Sequence, residues 1–109
     1  MKQALEYVDA SGRSPFRQWF DGLDAHAAAK VSIAIARLEF GNTSNLKPVG
    51  RGVSEIKIDF GPGYRVYVGQ VGDVLVILLG GGTKQRQDRD IAAAKERWAD
   101  YKLRKRGAV

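Results

Sequence analysis

The sequence predicts an α+β protein in the order β-α-α-β-β-β-α, an antiparallel meander sheet packed against a helical hairpin and a C-terminal helix. Three observations carry this. Apolar residues recur at helical spacing through Phe16, Trp19, Phe20 and Leu23, and again through Val31, Ile35 and Leu38. From residue 53 the period changes to alternation, broken by Gly61-Pro62-Gly63 and by Val71-Gly72-Asp73. From Gln87 the helical period returns, with Ile91, Ala94, Trp98 and Tyr101 on one stripe.

The elements follow in order. Gln3 to Val8 alternates, with Leu5 and Tyr7 opposite Glu6, and reads as a first strand. Ser14-Pro15 marks a helix start, with Ser14 as cap and Pro15 where its missing N–H costs nothing. Asp24 caps a second helix that runs to about Phe40 and stops at Gly41. Residues 42 to 52 are expected to be a connecting loop. Ser54, Ile56, Ile58 and Phe60 then face one way and Glu55, Lys57 and Asp59 the other, and Tyr64 to Gln70 returns. Val74 to Leu79 does not alternate, as expected for a strand buried on both faces. Gly80-Gly81-Gly82-Thr83 is expected to end the sheet. The last helix should run from Gln87 to about Lys102, with a basic tail, Lys102 to Arg106, that frays.

At 109 residues the chain is sized for one domain, residues 1–109, around a single modest core. Hydrophobic residues at 44% and charged residues at 28% place it among folded chains. Cysteine is absent, which excludes disulfides and thiolate metal sites and fits a reducing cytoplasm. The N-terminus lacks the apolar run of a secretory signal, and Val74 to Leu79 is too short to cross a bilayer, so a cytoplasmic location with no membrane partner is expected. The net charge of +6 draws the chain toward polyanions, nucleic acid first and acidic protein partners second. Charge supplies affinity without chemistry, so any chemistry must come from particular side chains.

Those side chains lie in the middle hairpin. If Gly61-Pro62-Gly63 makes a three-residue reversal, Phe60 faces Tyr64, Ile58 faces Val66 and Ile56 faces Val68 on a core face. The same register sets Lys57 opposite Tyr67 and Asp59 opposite Arg65 on the other, solvent-facing side. Two cations and a tyrosine there suit RNA, the cations neutralising phosphate and the tyrosine stacking on a base. An ordinary polar sheet face with an Asp59–Arg65 ion pair fits the same residues. The segment from Gly80 to Arg86 fails the Walker pattern, because no glycine precedes Lys84 and Gln85 follows it, so nucleotide triphosphate binding is rejected. It leaves Lys84 and Arg86 beside the hairpin. His26 reads as a surface residue, and no cluster has the spacing of a zinc, calcium or two-metal site. Asp88 and Asp90 read as cap and first-turn residues of the last helix, and Trp19 and Trp98 as core.

With these residues in view, the chain resembles the RelE/ParE toxin superfamily, in its HigB-like branch of addiction-module killer proteins. The resemblance rests on Gly52-Val53-Ser54-Glu55-Ile56-Lys57-Ile58, on Gly61-Pro62-Gly63-Tyr64-Arg65-Val66-Tyr67, and on Leu78-Leu79-Gly80-Gly81-Gly82-Thr83-Lys84 leading to Asp88-Arg89-Asp90-Ile91. It implies a RelE-like fold and a type II toxin that cleaves mRNA on the ribosome without a metal or small-molecule cofactor. It also implies a cognate antitoxin, itself a helix-turn-helix protein. In that chemistry the RNA's own 2′-hydroxyl attacks the adjacent phosphate, and the enzyme orients the phosphate, stabilises its charge and moves protons. The resemblance makes Arg65 the arginine on the scissile phosphate, Lys57 the group that activates the 2′-hydroxyl or clamps the phosphate, and Lys84 a second cation near the leaving group. Tyr67 stacks or orients, Arg86 and Arg89 clamp RNA, and Lys47 and Arg51 contact ribosomal RNA. Glu55 shares the face as a base or as a salt-bridge partner. Relatives place a histidine or tyrosine near the C-terminus as general acid or base; here there is no such histidine, and Tyr101 lies late in the last helix. Two other readings stand beside this one: a ParE-like inhibitor of DNA gyrase on the same fold, and a module that only binds nucleic acid.

Overall fold

A computed structural model describes residues 1–107 and has an α+β architecture. Strand β1 (Gln3–Glu6) leads to helices α1 (Pro15–Asp21) and α2 (Ala25–Glu39). Strands β2 (Leu46–Gly50), β3 (Val53–Ile58), β4 (Tyr64–Val71) and β5 (Leu75–Thr83) follow. A single 3-10 turn (Lys84–Arg86) then opens helix α3 (Gln87–Gly107). The five strands form one sheet in the order β1-β5-β4-β3-β2.

The helix starts are where the capping residues put them. The Ser14 hydroxyl accepts from the Arg17 N–H at 3.0 Å and Pro15 opens α1, while the Asp24 carboxylate accepts from Ala27 N–H at 2.9 Å at the head of α2. Past α2, Gly41 takes φ 95°, a conformation that glycine adopts without strain.

The sheet departs from a pure meander in two ways. It is mixed, because β1 pairs parallel to β5, Gln3 against Leu75 through Glu6 against Leu78. It also gains β2, expected as loop. Pro48 hid this strand from its composition, but Pro is tolerated on an edge strand where no N–H is needed. Arg51 and Gly52, with φ 55° and 82°, close the β2–β3 hairpin as a two-residue loop in which both residues need positive φ.

The β3–β4 hairpin also differs from the expected register. Ile58 faces Tyr64, Lys57 faces Arg65, Ile56 faces Val66 and Glu55 faces Tyr67, a slip of two residues. The loop is five residues long, Asp59 to Gly63, because Gly63 N–H bonds back to Phe60 C=O at 3.1 Å and Phe60 N–H to Ile58 C=O at 3.0 Å. A slip of two leaves every side chain on its expected face, whereas a slip of one would have inverted them all.

Helices cover both faces. Under α1 and α2, Ile56, Val66, Val68, Val76 and Leu78 meet Phe16, Val31 and Leu38. Under α3, Val53, Tyr67, Ile77 and Leu79 meet Ala94 and Trp98. Trp19 is partly buried against the first cluster, and His26 is exposed. The tail expected to fray is helical through Gly107. Arg104 pairs with Asp100 at 2.7 Å, and Lys102 and Lys105 lie over the rings of Trp98 and Tyr101 at 5.6 and 5.7 Å.

The triple glycine is part of β5, not its end. A side-chain carbon on Gly81 would strike the Trp19 ring, and one on Gly82 would strike the Asp90 carboxylate. On Gly80, which also has φ 155°, it would lie 2.6 Å from Arg97 Nη1. The glycines let α1 and α3 press directly on the strand from opposite sides.

Candidate nucleic-acid interface

The hairpin register and the β4–β5 ladder set Lys57, Arg65 and Gly82 in one row across three strands. Lys84 follows two residues past Gly82, its N–H donating to Gly63 C=O at 3.2 Å. The backbone therefore gathers Lys57, Arg65 and Lys84 at one end of the sheet, next to the Gly61-Pro62-Gly63 loop. Lys57 and Lys84 are exposed, whereas Arg65 is 6% exposed.

The side chains are arranged differently from the open polar face that alternation suggests. The α3 face of the sheet is covered at its head by the start of α3. Beneath it Glu55, 3% exposed, lies 3.7 Å from Arg65 Nε. Gln87, in the first turn of α3, donates from Nε2 to both Glu55 oxygens at 3.3 and 3.1 Å. Glu55 is thus a salt-bridge partner of Arg65, and Asp59 pairs with Lys57 at 3.7 Å in place of the expected Asp59–Arg65 pair. Arg65 Nε and Nη1 have no hydrogen-bond partner among the described residues. A buried guanidinium with open donors is costly unless something supplies acceptors, and an anionic oxygen is the acceptor it fits best.

Tyr67 requires a correction. It is fully buried between Glu55 and Gly80 under α3, so in this arrangement it cannot stack on a base. Alternation put it on the right face but could not say that a helix covers that face. Its hydroxyl is also unpartnered, and burial, followed by the Glu55 and Asp90 carboxylates, pushes the phenol above its ordinary pKa. Tyr67 is held as a neutral O–H donor. Asp90, in the first turn of α3 as expected, has its carboxyl raised by burial against the opposing pull of Arg86, Arg97 and Arg89.

The remaining expected contacts divide. Lys84, Arg86 and Arg89 line one open depression at the head of α3, beside the Lys57–Arg65 row. Lys47 is exposed on the edge strand, opposite Glu55. Arg51 does not join them: it sits in the turn before β3 whereas Lys57 lies near that strand's end, roughly 20 Å away at the usual rise per residue. Tyr101 stacks on Trp98 with centroids 5.4 Å apart, far along α3 from Gln87, and does not reach this end of the sheet. Gln87 is the residue that motif reading missed, since its partner Glu55 lies 32 positions away and no local pattern links them. Among the described residues no three His, Asp or Glu side chains converge as a metal site, and no helix is long and apolar enough to cross a membrane.

These features define an α+β protein with a buried, open-handed arginine at a basic end of its sheet. An uncharacterized protein of Haemophilus influenzae is 48% identical over 81 residues, 73% of this chain and 82% of the relative. The chain belongs to the same family as that protein. No family model matches it.

Proposed function

We propose that this protein is a type II toxin of the RelE/ParE kind, HigB-like, which cuts mRNA on the ribosome in the cytoplasm and is restrained by a helix-turn-helix antitoxin. The observation that carries this reading is Arg65: buried, oriented by Glu55, with two guanidinium nitrogens that have no hydrogen-bond partner among the described residues and the exposed Lys57 and Lys84 on either side. Such a centre can grip one phosphodiester and strengthen its hold as negative charge grows on the phosphorus oxygens.

In the reaction the 2′-hydroxyl gives up its proton as its oxygen bonds to phosphorus, and the 5′-oxygen takes up a proton as its bond to phosphorus breaks, leaving a 2′,3′-cyclic phosphate and a 5′-hydroxyl. Lys57 lies on the side of the attacking hydroxyl and Lys84 on that of the leaving oxygen, with Arg65 on the non-bridging oxygens. Arg86, Arg89 and Lys47 hold flanking RNA. Tyr67 serves from below as an O–H donor that orients the phosphate.

Induction of the native chain in a bacterial host, with primer extension on cellular transcripts, tests the proposal. Growth arrest with discrete cuts inside translated codons is expected. Arg65→Lys, which keeps the charge but loses the fork of donors, should slow cleavage about 100-fold. Intact mRNA together with trapped gyrase–DNA complexes would replace this reading with the ParE-like one.

A further inference from the structure

We propose that Lys30 and Arg37 of α2, together with Lys57, form a second phosphate subsite, one that takes the RNA backbone where it leaves the Arg65 centre. The inference rests on the RNA reading above. Its basis is a part-enclosed cavity of about 240 Å³ between α2 and the end of β3, on the opposite side of the sheet from α3. Lys30, Arg37, Lys57 and Asn45 line it over a floor of Ala34 and Ile56.

The sequence sets the cations there. Val31 and Leu38 are buried against the sheet, so their neighbours Lys30 and Arg37, two turns apart, fall on one flank of α2. Lys30 Nζ is placed by the Phe60 ring, 5.6 Å from its centroid. Neither Lys30 nor Arg37 forms an ion pair among the described residues. The single carboxylate in the cavity wall, Asp59, is 87% exposed and spans 3.7 Å to Lys57, a contact an anion can displace at little cost. Three cations against one carboxylate favour an anion.

The path between the two places is open. Strand β2 stops pairing at Leu46 against Ile56, so β3 has an uncovered edge from Lys57 onward. Lys57 adjoins both places, since its cross-strand partner is Arg65 and it borders the cavity at the end of β3. A single strand of RNA can therefore turn round this edge, with successive phosphates at Arg65 and in the α2 cavity. Free inorganic phosphate is the other source of the same chemistry.

Fluorescence anisotropy with a 12-nucleotide 2′-O-methyl RNA, which lacks the attacking hydroxyl and stays intact, separates these cases. Affinity is measured from 50 to 250 mM salt for the native chain, for Lys30→Gln/Arg37→Gln, and for Lys105→Gln/Arg106→Gln. The last pair removes the same charge roughly 30 Å along α3 from its start. Melting followed by circular dichroism checks that all three are folded. The α2 pair should weaken binding and reduce the slope of log affinity against log salt by about 0.7, one phosphate on a single strand, while the α3 pair leaves the slope unchanged. An α2 pair with the native slope, beside native binding that Arg65→Lys weakens, overturns the subsite and leaves the RNA reading standing. Absence of salt-dependent binding by the folded native chain overturns both. Inorganic phosphate that shifts the Arg37 side-chain resonance saturably below millimolar concentration, with the RNA slope unaffected by the α2 pair, assigns the cavity to free phosphate instead.

Discussion

Under α1 and α2 the central strands contribute Ile56, Val66, Val68, Val76 and Leu78, and the buried cluster they build is wholly apolar. Under α3 the same strands contribute Glu55, Arg65 and Tyr67 beside Ile77 and Leu79, and the two buried charged residues among those described both lie there. Each face carries a tryptophan seated on glycine, Trp19 on Gly81 and Trp98 on Gly69. The packing device is shared; the polar content is not. One face repays burial by the hydrophobic effect alone, while the other holds unpartnered donors that weaken the fold and suit it to an incoming anion.

Removing Arg65 should break this contrast most sharply. Arg65→Ala strands Glu55 as a buried carboxylate and should cost about 3 kcal/mol in chemical denaturation. Arg65→Ala/Glu55→Gln should recover much of that stability without recovering cleavage. A single variant as stable as the native chain would show that the pair carries little of the fold.

The glycines give a smaller, two-sided comparison. Gly81→Ala and Gly82→Ala each overpack a helix against β5 and should cost about 1–3 kcal/mol. Gly81→Ala pushes on Trp19 and should leave the activity of the folded fraction near native. Gly82→Ala pushes Asp90 and the head of α3 away from Arg65 and should lower that activity as well. Equal activity losses would erase the functional distinction between the faces.

The smallest effect runs the other way. Tyr67→Phe removes a buried hydroxyl without a partner and should stabilise the chain by up to about 1 kcal/mol while reducing cleavage. Because the folded-state pKa of Tyr67 is raised, its contribution to stability is whole below the unfolded value near 10 and is lost as pH climbs through the folded value. The native chain should therefore lose stability above pH 10 more steeply than Tyr67→Phe. Tyr7, whose phenol is also raised by burial and by Asp100, titrates in both proteins and cancels in the comparison. Parallel curves would mean that Tyr67 meets water at high pH.

Much of the fold was legible because its signals are local. Ser14 and Asp24 bond to backbone within three residues, and alternation from Ser54 to Phe60 assigns faces that a register slip of two leaves unchanged. Lys57, Arg65 and Lys84 could be brought together from their places along a hairpin and the strand beside it. Strand β2 was hidden by Pro48, and the five-residue loop at Asp59 to Gly63 by the brevity of its glycine motif.

The sequence by itself determined the α+β class, the helix starts, the parity of the β3 and β4 faces and the basic character of one end of the sheet. Tertiary structure alone decided that β1 runs parallel beside β5, that α3 covers Tyr67 and Arg65, and that Gln87 reaches Glu55. The physical reason is range. Caps and periodicity act over a few residues, whereas whether a polar face meets water or a helix depends on packing between segments that the chain separates by dozens of positions.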